Sequence, residues 1–167
     1  MRSIYLLFLL SFLFLNFDCE DDFDERLFDL PGTFVFGFGG GDCASDCATI
    51  FMLQDSLLFE YGPGLAPNLG PGAHRLSDWV LKDDQSRLAD VIALRDAAPE
   101  ELSFNSRLER YGCPGCTDGP FAQVGVFDES GFGSYSYIDP TPPPSAGVSN
   151  DIIEYGESVR VLVEELE

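Results

Sequence analysis

The sequence predicts an α+β domain, with an antiparallel sheet of about four to five strands and two helices packed on one face. Two pairs of β-rich runs, residues 48–53 with 57–61 and residues 121–127 with 132–138, are each joined by a short polar turn. That is the pattern of a β-hairpin. Two further segments, one following Asp84 and one from about Asn150 to Leu166, repeat apolar residues at helical spacing, so each has one face to bury. Helices gathered on one side of an antiparallel sheet complete the class.

The chain opens with Arg2 and an apolar run from Ile4 to Leu15 interrupted only by Ser11, then the polar break Asn16-Phe17-Asp18. One cation before a 7–15-residue apolar core is the layout of a secretory signal. The core falls short of the about 20 residues that a helix needs to cross a bilayer. Residues 1–18 are therefore expected to be a signal peptide. Cys19 follows directly, then Glu20-Asp21-Asp22. Residues 1–25 resemble the signal peptides of Gram-negative bacterial lipoproteins, some of which carry an acidic tag after the cysteine. The resemblance implies lipidation at Cys19, a membrane partner engaged through that anchor, and an outer-membrane or cell-surface address. Asp18 stands where the lipobox pattern has a small residue, and the alternative is a secreted, periplasmic or uncleaved form.

Residues 19–31 read as an acidic tether, because a run of like charges repels itself and stays extended. Residues 32–167 are expected to form one domain. The aromatic run from Thr33 to Phe38 starts the first strand, and Gly39-Gly40-Gly41 breaks it. The first hairpin turns at Gln54-Asp55-Ser56. Residues 62–72 are rich in Gly and Pro and read as a loop. His74 to Leu81 is a further strand candidate. Asp83 or Asp84 is placed to cap the central helix, in which Leu88, Val91, Ile92 and Ala98 share a face. Pro99 stops it, and Pro99-Glu100-Glu101-Leu102 starts a short extra turn. After the second hairpin comes a stiff segment with prolines at 140 and 142–144. The closing helix carries a stripe of Ile152, Tyr155, Val159, Leu162, Val163 and Leu166, with Gly156 costing it about 1 kcal/mol against alanine.

This order of elements, closing on an amphipathic helix, is similar to that of the small emfourin-type inhibitors of metalloproteases. The likeness spans residues 33–167 and implies an inhibitor docking a loop into an extracellular protease. It carries no functional residue across.

Four cysteines in two close pairs, Cys43 with Cys47 and Cys113 with Cys116, are the sharpest chemical feature of the domain. Disulfides are the expected state in an exported chain, with local bridges preferred over the other pairings that four cysteines allow. Four thiolates in two tight loops are also a zinc ligand set, and Cys113-Pro114-Gly115-Cys116 has the C-x-x-C spacing of thiol–disulfide enzymes. Asp42, Asp46 and Asp118 flank the cysteines as oxygen ligands suited to calcium, but without a D-x-D-x-D-G loop they read as solvated acids. His74, the single histidine, reads as a surface residue. Trp79, Tyr135 and Tyr137 are the candidates to line a groove.

Charge excludes more than it assigns. Twenty-nine acidic residues against nine basic give −20, which argues against nucleic acid or an anionic membrane surface as partner, since both need clustered cations. A solvated acidic surface is expected, with recruitment of cations or of a basic protein partner as the alternative. No cofactor is implied. The sequence thus points to a non-catalytic cell-envelope lipoprotein with a binding or structural role. A protease inhibitor and a thiol–disulfide oxidoreductase are the other readings.

Overall fold

The computed structural model describes residues 32–40, 48–62, 78–103, 108–113, 119–128 and 133–167. The first hairpin pairs β2 (Ala48–Gln54) with β3 (Leu57–Tyr61). Its turn is two residues long, not three: Asp55 and Ser56 both take positive φ, at 49° and 62°, the geometry whose twist matches that of the flanking strands. β1 (Phe34–Gly39) pairs with β2 on one side and with the distant β6 (Phe121–Phe127) on the other. β6 turns back into β7 (Gly133–Ile138). A short strand closes each edge. β4 (Trp79–Leu81) lies beside β3, and β5 (Leu108–Tyr111) lies beside β7.

The α+β expectation holds, and its count and sense are corrected. The sheet has seven strands in the order β4-β3-β2-β1-β6-β7-β5, and it is mixed, because β5 runs parallel to β7. Three helices are described in place of two: α1 (Leu88–Asp96), α2 (Glu100–Ser103) and α3 (Asn150–Leu166), with a 3-10 turn at Pro144–Ala146.

α1 starts later than its sequence suggests. Neither Asp83 nor Asp84 caps it; Arg87 holds the cap position without a side-chain bond. The Asp84 carboxylate accepts from Ser86 N at 2.8 Å instead, and that bond holds its carboxyl below the usual range. Between them, Gln85 takes the place of a strand residue. Its Oε1 accepts from Leu58 N at 2.9 Å and its Nε2 donates to Leu58 O at 3.0 Å. Of the expected strand from His74 to Leu81, Trp79–Leu81 is a strand and residues 74–77 lie outside the described residues.

The two faces of the sheet differ. Phe34, Phe36, Phe51, Leu53, Ala122, Val124 and Ile138 point to the helices and meet Val91, Leu94, Leu102 and the α3 stripe. All six stripe residues of α3 are buried, as its periodicity predicts. Ser149 caps α3 by accepting from Ile152 N. Gly156 lies where α3 crosses β7, and a Cβ there would sit 2.8 Å from Ile138 Cγ2.

The opposite face carries Val35, Ile50, Met52, Trp79, Phe121, Phe127, Tyr135 and Tyr137 as a second apolar cluster, whose described members are all strand residues. Trp79 meets Tyr61 edge-on at 5.3 Å, and Tyr137 meets Phe121 and Tyr135 edge-on at 5.3 and 5.5 Å. Tyr135 Oη donates to Gln123 Oε1 at 3.0 Å, with both residues buried.

Burial sets a pH limit on the fold. It lifts the phenols of Tyr135 and Tyr155 well above their ordinary value and pushes Tyr137 up to about 12, Arg110 partly opposing the last. A phenol whose folded pKa is raised contributes stability below its unfolded value near 10 and loses it as pH climbs through the folded value. The urea midpoint is therefore expected to be flat across neutral pH and to fall between about pH 10 and 12, with tyrosinate absorbance appearing together with unfolding. Tyrosinate that rises in the folded protein, ahead of unfolding, would contradict the burial described.

Candidate binding groove

An open groove of about 1070 Å³ lies where the α1–α2 junction, the end of β5 and the start of α3 converge. Each wall follows from local sequence. Pro99 ends α1 and sets Glu100 and Glu101 in the first turn of α2. Gly147 turns with φ of 68°, so the chain leaving the proline segment bends into Ser149 and α3. Ile152 and Tyr155 form an apolar floor, tied to α1 by the bond from Tyr155 Oη to Leu94 O at 3.1 Å.

Glu100, Glu101, Asp151 and Glu154 line the groove, and none of them pairs with a cation among the described residues. Four of the described cations are engaged elsewhere: Arg87 with Asp90 and Glu165, Arg95 with Asp96, Arg160 with Glu157 and Glu164, Lys82 with Glu60. Tyr111 closes one end. Its hydroxyl donates to Glu109 Oε2 at 2.7 Å and lies 3.3 Å from Glu101 O. Burial first, then the Glu109 and Glu101 carboxylates, raise this phenol well above its usual range, so it stays a neutral hydrogen-bonding group. Asp151 stands in the first turn of α3. The apolar floor and an acidic rim without a cation among the described residues together suit an amphipathic segment carrying cations.

The residues singled out from sequence lie elsewhere. Trp79, Tyr135 and Tyr137 are 8%, 2% and 4% exposed and belong to the second apolar cluster, not to the groove. Cys113 is disulfide-bonded, and a sulfur so engaged is not a thiolate ligand. Cys19, Cys43, Cys47, Cys116, His74, Asp42, Asp46 and Asp118 lie outside the described residues. Among the described residues, no group of three or more His, Cys, Asp or Glu side chains is placed to hold a metal ion. No described helix is long and apolar enough to cross a membrane.

The groove was missed in the sequence because its parts are far apart in the chain. Glu100-Glu101 after a proline was the one local signal. Comparison of the chain with known protein families, with characterised proteins and with solved structures finds no match.

Proposed function

We propose that the protein is a non-catalytic cell-envelope lipoprotein, held to the membrane through Cys19, whose domain binds a basic, amphipathic segment of a partner protein. The observation that carries the binding half is the open groove with an apolar floor and four carboxylates unpaired among the described residues. The overall charge of −20 works the same way at longer range, drawing cationic partners toward the domain.

The test uses a fluorescein-labelled peptide of alternating arginine and leucine. Its affinity is expected to fall about tenfold or more when Glu100→Gln, Glu101→Gln and Asp151→Asn are combined, which corresponds to at least about 1.4 kcal/mol. Asp55→Asn with Asp96→Asn, which removes charge outside the groove, is expected to leave affinity within about twofold. Equal losses in both sets would mean diffuse attraction and no groove site. In the same preparations, Cys19→Ser is expected to move the protein from the membrane fraction to the soluble one.

A further inference from the structure

The groove does not end where its acidic rim does. A second open hollow, of about 440 Å³, continues it, and Ala97 and Ser158 line both. Along α3 the wall of the two hollows runs through Asp151, Glu154, Ser158, Val161 and Glu165, exposed positions three or four residues apart. On a helix that spacing is one continuous stripe. Along α1 the facing wall runs through Arg87, Asp90, Leu94 and Ala97 at the same spacing. The two hollows are thus halves of one trough, about 21 Å long from Asp151 to Glu165 at ~1.5 Å per residue.

The halves differ in charge. In the first, Glu100, Glu101, Asp151 and Glu154 have no cation partner among the described residues. In the second the carboxylates are matched: Arg87 bridges Asp90 and Glu165, and Arg160 holds Glu157. What this half offers a partner is aliphatic surface from Leu94, Leu162 and Val161, the last 41% exposed.

We propose that the occupant is an amphipathic helix of a partner protein, about four turns long, lying along the whole trough. Its cations gather at the end over the acidic half, and its aliphatic side chains rest on Leu94, Val161 and Leu162. This rests on the binding reading above and adds the shape and polarity of the partner. Both long walls are helices, so an extended segment would find no strand edge to pair with. A helix brings its own backbone bonds and sets side chains at a spacing that matches the walls. The small side chains of Ala97 and Ser158 at the waist allow a close approach. Charge fixes the direction, because cations placed over the matched half would meet carboxylates that already have partners.

The probe is a fluorescein-labelled peptide of about 18 residues, with arginines in its first third and leucines at helical spacing through the rest. One control is its first half alone. The other carries a central proline, which breaks the helix and leaves the rest of the composition in place. The full peptide is expected to bind about tenfold or more tighter than either control, and its circular dichroism to gain helical signal on binding. Val161→Gln, at an exposed position outside the acidic half, is expected to weaken the full peptide about fivefold and to leave the half peptide within about twofold. Equal affinity of the three peptides, or no response to Val161→Gln, would overturn the helical partner. The basic groove alone would survive that result if the half peptide still lost affinity with Glu100→Gln, Glu101→Gln and Asp151→Asn combined. Failure of every peptide to bind would overturn both readings.

Discussion

Phe36→Ala is expected to cost about 3–5 kcal/mol, the range for removing a fully buried phenyl group. Phe36 is at the middle of the central strand, 0% exposed. Its ring lies 5.3 Å from that of Phe34 and 5.5 Å from that of Phe51. Removing it opens a cavity under α3, where the neighbouring side chains are anchored to three different strands and close the gap only in part. Domains of this size have about 5–15 kcal/mol in all, so the variant should sit near the edge of folding. Urea denaturation checks this, and the midpoint should drop sharply with little change in slope. A loss below about 1 kcal/mol would mean that the helix layer is not packed on β1 as described.

Gly156→Leu is expected to lift α3 from the sheet and cost roughly 3 kcal/mol, the upper end for overpacking a core. Two effects oppose each other at this residue, and their sizes decide the sign. Alanine in a helix interior is about 1 kcal/mol better than glycine by propensity. The added Cβ, however, would come within 2.8 Å of Ile138 Cγ2 and 3.8 Å of Ala122 Cβ. The first contact is with the branch of a fully buried side chain in β7, which has little room to move. Gly156→Ala should therefore still destabilise, by about 1 kcal/mol net of its propensity gain. Combining it with Ile138→Ala removes the opposing methyl, so the double variant should lose less than the two single losses added together. Simple additivity would place the cause elsewhere.

The same glycine shows how much of the fold could be read from sequence. Periodicity gave α3 almost to the residue, because its stripe has one buried face and a serine cap. The two hairpins were legible for the same kind of local reason. β5 was not: Leu108-Glu109-Arg110-Tyr111 is four residues long and half polar, and only parallel pairing with β7 makes it a strand. The helix cap at Asp83 or Asp84 failed because Gln85 is drawn to the backbone of β3, a contact across 27 positions that no window reports. Gly156 looked like a flaw in a helix until β7 was beneath it. The run Phe34-Val35-Phe36 did carry a usable signal. Continuous apolar residues in a strand mean both of its faces are covered, and both faces of β1 are. Of the candidate site, Glu100 and Glu101 were visible as a short turn, but Asp151 and Glu154 join them only through the docking of α3.

β1 also constrains the order in which the molecule can assemble. Phe36 pairs with Phe51 on one side and with Val124 on the other, so the nascent β1–β3 meander presents a bare, apolar inner edge until the last third of the chain has been made. Contacts that span so much sequence close slowly, on the millisecond-to-second scale typical of sheets with distant partners. An unpaired edge of this kind is a template for association with other chains. Ribosome-stalled chains ending before Phe121 should accordingly be protease-sensitive and prone to aggregate, and resistance should appear only once α3 is complete.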